Sequence, residues 1–159
     1  MIRFLVAIVI AGFATPAVAA DVLTTHRLGA ALANEAVGAA VAFCAKQGYA
    51  ETVVLIDSDG VRQAELRGDG AGIHTPDSAY DKAYTSLTFK ADTGALVARA
   101  PAIGALTSRL PHLLLFRGGL VIKIGDEVVG AIGAAGAPGG QLDEACARAG
   151  LDAIRDRMK

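Results

Sequence analysis

The chain has 159 residues, of which 53% are hydrophobic and 19% are charged, and its formal net charge at pH 7 is −1. A chain of this length fits one domain with one hydrophobic core. Lysine and arginine do not cluster anywhere in the sequence, which argues against nucleic acid as a partner because phosphate binding needs a basic patch.

The start of the chain has the pattern of a secretory leader. Arg3 supplies a positive charge, an apolar run extends from Phe4 to Phe13, and small residues at positions 17–19 form a cleavage site. The apolar run has about ten residues, whereas a membrane-spanning helix needs about twenty. The sequence therefore predicts a cleaved signal peptide over residues 1–20, a periplasmic or secreted mature protein, and no permanent membrane anchor.

The mature chain, residues 21–159, begins with a helix and a hairpin. Thr24 or Thr25 can cap an alanine-rich helix that runs to about Gln47. Two β-rich runs, Thr52–Ile56 and Val61–Leu66, then flank an Asp-Ser-Asp-Gly sequence that is typical of a hairpin turn.

The middle of the chain predicts two helices and a loop. Thr75, followed by proline and aspartate, is expected to cap a helix that runs to about Lys90. A short helix over Thr93–Arg99 follows. Proline and glycine then predict an irregular loop over Ala100–Pro111.

The last third of the chain predicts three strands and a helix. The strands cover His112–Phe116, Leu120–Ile124 and Glu127–Ile132, and the helix covers Gln141–Arg157. The element order is α-β-β-α-α-β-β-β-α. Hairpin connections predict an antiparallel five-stranded sheet with helices packed on it, which is a single α+β domain.

A bend rich in glycine and alanine follows the last predicted strand, over residues 133–140. Because bulky side chains are absent, the backbone there can be approached closely by a ligand, a neighbouring helix or another subunit.

The two cysteines, Cys44 and Cys146, lie in the first and last predicted helices. In an exported protein they could form one disulfide, provided that the two helices are neighbours. The alternative is a pair of buried thiols that pack as small apolar residues.

Six short runs, in this order and at this spacing, resemble the GlcG/HbpS-like haem-binding family, which includes the C-terminal domain of PduO-type proteins. The runs are residues 54–60, 68–71, 82–86, 118–122, 130–133 and 143–147. The resemblance implies a profilin-like α+β fold, frequent homo-oligomers, and the binding of haem or a corrinoid-type tetrapyrrole in some members. The chain departs from the family pattern at Gly68, at Val121 and in residues 133–136, which are close to the expected ligand loops.

The helix that follows Pro76 is the best candidate for a ligand site. Ser78, Lys82, Thr85 and Phe89 are spaced so that they share one face of it. A lysine and a hydroxyl near a helix N-terminus can bind a carboxylate such as a haem propionate. The alternative is that Lys82 is solvated and that Thr85 bonds back to its own helix.

His74, just before this helix, is a candidate axial haem ligand or general base, and the alternative is a surface-loop histidine. His112 and His26 are weaker candidates of the same kind. The glycine loops, including Gly118 and Gly119 in a run shared with the family, are expected to border the ligand.

The sequence thus favours an exported, homo-oligomeric module that binds a small molecule, with haem or a related tetrapyrrole as its cofactor. Two alternatives stay open: a periplasmic enzyme of haem or small-molecule metabolism, and an oligomeric assembly protein without a small ligand. Neither a nucleophile–base pair nor a metal-binding motif is recognisable, so no catalytic residue is predicted.

Overall fold

A computed structural model of the chain describes residues 22–159. The predicted signal peptide over residues 1–20 lies outside the described residues. Within the described part, no helix combines the length and the apolar character that are needed to cross a bilayer.

The domain consists of an antiparallel sheet covered by helices on both faces. Within residues 22–159 the sheet has four strands in the order β2-β1-β4-β3. A short 3₁₀ helix over Arg155–Arg157 ends the chain. The main elements are α1 (Ala30–Lys46), β1 (Thr52–Asp57), β2 (Arg62–Arg67), α2 (Thr75–Phe89), α3 (Thr93–Val97), α4 (Ala100–Thr107), β3 (Gly119–Ile124), β4 (Glu127–Ala135) and α5 (Gly140–Ile154).

The alternation of side chains along β1 divides the core into two layers. Val53 and Leu55 pack into a cluster with α1 and α5 on one face of the sheet. Val54 and Ile56 pack with the alanines of α2 on the other face. β1 is buried on both sides, which explains why it is a continuous apolar run rather than an alternating one.

The predicted fifth strand, His112–Phe116, is not formed, so the predicted element order is wrong at this point. The backbone of this segment makes other bonds: Leu114 N–H donates to the Thr85 hydroxyl at 2.8 Å, and Phe116 N–H donates to Leu114 O at 2.9 Å. His112 also has a φ of 61°, which interrupts an extended chain. The run of leucines lacks the β-branched residues that favour strands.

Three further boundaries differ from the predicted ones. The first helix begins at Ala30 rather than near Thr24, because His26 and Arg27 instead bond to acidic side chains of the hairpins. The loop predicted over 100–111 contains α4. Thr75 is the first residue of α2 rather than its cap, and its hydroxyl instead donates to Gly72 O at 2.7 Å.

Cys44 and Cys146 are joined by a disulfide, with their Cα atoms 5.6 Å apart. The bond links α1 to α5, which pack against each other on the same face of the sheet. Of the two alternatives that the sequence left open, the disulfide is therefore the one that the structure shows. It closes a loop across 102 positions of sequence, which restricts the unfolded chain.

Two glycines allow α2 to lie directly on the backbone of the sheet. Gly119 of β3 and Gly133 of β4 are paired across the two strands. A Cβ atom at Gly133 would overlap the carbonyl oxygen of Ala79, and one at Gly119 would overlap that of Lys82. The close approach that the glycine pattern predicted is thus, at these two positions, the approach of a neighbouring helix.

Gly133→Ala is expected to destabilise the protein by about 1–3 kcal/mol, because the added methyl group must push α2 away from β4. Gly38→Ala in α1 is the matched control, since no atom lies within 4 Å of its added Cβ. Alanine there should stabilise the helix by about 0.5–1 kcal/mol. Urea unfolding measures both effects, and equal effects of the two substitutions would show that the helix does not rest on Gly133.

Candidate functional site

A buried ion pair joins α2 to the start of α5. Lys82 Nζ lies 2.5 Å from Asp143 Oδ2 and donates a second bond to Ala134 O at 2.9 Å. Both charged residues are only 3% exposed. The lysine stem reaches past the end of β4, so the pair connects the two helical layers that the sheet separates.

A second carboxylate, that of Glu51, lies behind the ion pair. The N–H of Ala137 is within 3.0 Å of both Glu51 Oε1 and Asp143 Oδ1, so one donor serves two carboxyl groups. Glu51 is 1% exposed, and its Oε2 has no hydrogen-bond partner among the described residues. Burial, together with the hydrogen bond and charge of Asp143, raises the pKa of Glu51 to about 8.

A cavity of about 260 Å³ opens beside the ion pair. Its walls come from three segments: the start of α2, the loop before β3, and the connection from β4 to α5. The chemistry of the lining is mixed, with an imidazole, two hydroxyls, one charged pair and four apolar side chains. The side chains that line it are His74, Thr75, Ser78, Lys82, Leu114, Phe116, Ala135, Ala137 and Asp143.

An adjacent cavity of about 350 Å³ shares one wall with the first. It is mainly apolar and is lined by Val97, Leu115, Phe116, Arg117 and Gln141. Phe116 lines both cavities, is 53% exposed, and places its ring centroid 5.4 Å from Lys82 Nζ. The side chain of Phe116 is therefore the wall that the two cavities have in common.

Three of the predicted site residues, His74, Ser78 and Lys82, line the first cavity together. His74 is exposed at its rim, and Thr75 fixes the start of α2 because its hydroxyl meets that of Thr52 at 2.6 Å. Lys82 is buried, whereas the alternative left open by the sequence was a solvated lysine. Its charge is already compensated by Asp143. The lysine can therefore stabilise the wall of the cavity but offers no free positive charge.

Thr85 and Phe89 lie further along α2 and are not part of the cavity lining. The Thr85 hydroxyl donates to Asp81 O at 2.7 Å within its own helix and accepts the N–H of Leu114. The local bond that the sequence left as an alternative is thus formed. Its consequence is to hold the loop that carries Leu114 and Phe116 against α2.

Gly118 and Gly119 lie behind the ion pair rather than at the cavity surface. Gly118 has a φ of 122°, and a Cβ there would lie 3.0 Å from Lys82 Nζ and 2.9 Å from Asp143 Cβ. The N–H of Gly119 donates to the Thr93 hydroxyl at 2.9 Å. These glycines make room for the buried charges.

The other two histidines lie elsewhere. His112 Nδ1 is 3.0 Å from Asp81 Oδ1, and its ring packs edge-on against Tyr80. His26 Nδ1 is 2.6 Å from Glu127 Oε2, near the β3–β4 turn. A larger cavity, of about 620 Å³, also lies at that end of the sheet, between the two hairpin turns. Its acidic side chains include Glu127, already bonded to His26, and it contains no predicted site residue.

Glu51 and Asp143 are the site residues that sequence reasoning missed. Asp143 occupies the first turn of α5, where compensation of the helix dipole was a sufficient explanation. Glu51 precedes β1 and carried no motif. The one available signal was a charged residue just before a strand whose middle, Val53–Ile56, is a continuous apolar run. A carboxylate is unusual in such a place unless it has a partner.

Comparison with known proteins identifies relatives of the whole domain. The family model described as "Haem degrading protein HbpS-like" matches residues 28–152. A crystal structure of HbpS is 35% identical, covers 84% of this chain and 94% of its own, and superposes with a TM-score of 0.80. A double mutant of HbpS from Streptomyces reticuli is also 35% identical, covers 91% and 98%, and has a TM-score of 0.81.

A structure described as a PduOC:Heme complex is 23% identical, covers 81% of this chain and 96% of its own, and has a TM-score of 0.76, which shows a common fold. No curated protein matches the chain. The family match covers most of the described domain, including α1, the whole sheet, α2 and most of α5. The chain therefore belongs to the HbpS-like family.

Proposed function

We propose that the protein binds haem or a related tetrapyrrole at the cavity between the start of α2 and the loop that carries Phe116. The observation that carries the proposal is the position of His74 and Ser78 at the mouth of a partly apolar cavity, in a chain of the HbpS-like family. The heme complex of PduOC, which has the same fold, supports this choice of ligand.

The size of the cavity sets a condition on this proposal. About 260 Å³ is below the 300–1,000 Å³ of typical small-molecule pockets, whereas the two adjacent cavities together fall within that range. A flat macrocycle therefore fits only if Phe116 turns aside or if part of the ring stays outside. Phe116 and Leu114 supply apolar surface for the ring, and Ser78 is placed to donate a hydrogen bond to a carboxylate.

His74 is the residue that we assign to the iron. Its imidazole is exposed at the rim of the cavity, and a neutral imidazole is a common axial ligand of haem. When bound, haem would supply one-electron and oxygen chemistry that the side chains alone do not have. The protein would contribute position, an apolar wall and the buried charge pair.

A second candidate function is the breakdown of bound haem. The description of the matching family, "Haem degrading protein HbpS-like", favours it, and a buried acid lies directly behind the cavity wall. Decay of the bound haem spectrum when a reductant and oxygen are added would distinguish this function from simple binding.

We also propose that the protein is exported and self-associates. The Cys44–Cys146 disulfide suits an oxidising compartment outside the cytoplasm. α4 has no buried residue although it is mainly apolar. Leu106 within α4 is 46% exposed, and Leu110 just after it is 49% exposed. A second copy of the chain would cover this surface.

Haemin titration of the mature protein tests the binding proposal. We expect a shifted Soret band that saturates at a ratio near one haemin per chain, and we expect His74→Ala to weaken binding by about tenfold or more, since a lost iron ligand costs at least ~1.4 kcal/mol. His26→Ala is the matched control, because His26 bonds to Glu127 away from the cavity. No spectral change at micromolar haemin, or equal losses in the two variants, would contradict the proposal.

A further inference from the structure

We propose that Glu51 is a positioning residue for this cavity: it shares one proton with Asp143, and release of that proton weakens the binding of ligands that carry carboxylates. The inference rests on the proposed function for its choice of ligand. Its first part, the retained proton, depends only on the buried groups themselves.

The balance of buried charge is the first argument. Two carboxyl groups and one ammonium group, those of Glu51, Asp143 and Lys82, are each at most 3% exposed. If all three were ionised, a net negative charge would be buried without compensation, which is unfavourable. One retained proton makes the cluster neutral.

The geometry assigns that proton mainly to Glu51. Lys82 Nζ contacts Asp143 and not Glu51, so the ionised form of Asp143 is the better stabilised. The single N–H of Ala137 is shared between the two carboxyl groups, which therefore lie close enough for the charge of Asp143 to disfavour ionisation of Glu51. Oε2 of Glu51 accepts no hydrogen bond from the described residues, which leaves the ionised form of Glu51 poorly stabilised.

Among the described residues, Tyr49, Arg67 and Asp69 line a second cavity together with Glu51, and none of the three forms a hydrogen bond with its carboxyl group. Asp143 faces it from α5 and Lys82 from α2. The sulfur of Cys146, 3.6 Å from Oε1, is held in the disulfide and does not titrate. The raised pKa of Glu51 agrees with the proton assignment.

The cluster is connected to the cavity through its wall. Asp143, Lys82 and Ala137 line the cavity, whereas Glu51 does not, so Glu51 acts through these three residues. With the proton in place the wall is neutral as a whole. Once the proton leaves, the wall carries a net negative charge in a poorly solvated place, and an incoming carboxylate is repelled.

An infrared pH titration of the protein without ligand tests the shared proton. We expect one carboxylic-acid carbonyl band to disappear between about pH 6 and about pH 10. Exposed carboxyl groups are already ionised in this range and give no such band. Glu51→Gln should lack this band, and Glu65→Gln on exposed β2 should keep it. If the wild-type protein shows no such band, the proposal is overturned, whatever the variants do.

Binding of metal-free protoporphyrin, followed by fluorescence, tests the coupling without interference from water bound to iron. We expect the affinity of the wild-type protein to fall about fivefold from pH 7 to pH 9, with the pKa of the cluster raised by about one unit in the complex, as reciprocity requires. Glu51→Gln should bind with little pH dependence. Binding that does not change with pH in the wild type would overturn the coupling.

The two measurements separate the inference from the proposed function. A titrating acid band in a protein that binds no porphyrin at any pH would overturn the proposed function and the coupling while leaving the shared proton established. Porphyrin binding without the acid band would leave the proposed function standing and overturn the role of Glu51.

Discussion

Lys82→Met is expected to destabilise the protein by about 3–5 kcal/mol at pH 7, because it leaves the buried carboxylate of Asp143 without its cation. The methionine side chain keeps most of the lysine volume, so the loss reports on charge rather than on packing. Urea unfolding followed by circular dichroism measures it. Lys123, which is exposed on β3, provides the matched control: Lys123→Met should change stability by less than about 0.5 kcal/mol.

A double substitution makes this prediction specific. Adding Asp143→Asn to Lys82→Met removes the unpaired charge and should restore much of the lost stability, since replacing both partners of a buried pair is far less costly than replacing one. Losses that simply add in the double variant would mean that the two residues do not act as a pair.

Glu51→Gln is expected to make the protein more stable than the wild type at alkaline pH, by up to about 5 kcal/mol. The pKa of Glu51 is about 8 in the folded protein and 4.5 in a solvent-exposed glutamate. Between these values the folded state holds a proton that the unfolded chain has released. The Glu51 contribution to stability therefore falls as pH rises from about 4.5 to about 8, and is constant above that window.

Unfolding free energies measured at intervals from about pH 5 to about pH 9 test this window. The difference between Glu51→Gln and the wild type should grow with pH and then level off. Glu65→Gln, which removes an exposed carboxylate of β2, should show no such trend. A constant difference across the range would show that Glu51 ionises in the folded protein as it does in water.

Local sequence signals were sufficient for most of the fold. The β1–β2 hairpin follows from its turn residues, and α2 begins one residue before the predicted start because proline and aspartate suit a first helical turn. The error at His112–Phe116 has a tertiary cause: the hydroxyl of Thr85 takes the backbone N–H that a strand would have used in a ladder. No reading of the leucine run by itself would show this competition.

The sequence grouped the site residues correctly only over one short stretch, from His74 to Lys82. Ser78 and Lys82 are one helical turn apart, so periodicity placed them together and the structure agrees. Asp143 and Glu51 reach the same point because β1 and β4 pair with Thr52 opposite Ala135, which brings Glu51 beside Ala137. Register of this kind is decided by packing across the whole sheet, and a single sequence does not display it.

The glycine pair at positions 119 and 133 has a consequence for the evolution of the site. Because α2 touches bare backbone there, the height of the helix above the strands decides whether the Lys82 ammonium meets Asp143 or stops short of it. The charge and shape of the cavity wall are therefore open to change through residues that do not line the cavity, and a comparison of relatives restricted to cavity-lining positions would overlook them.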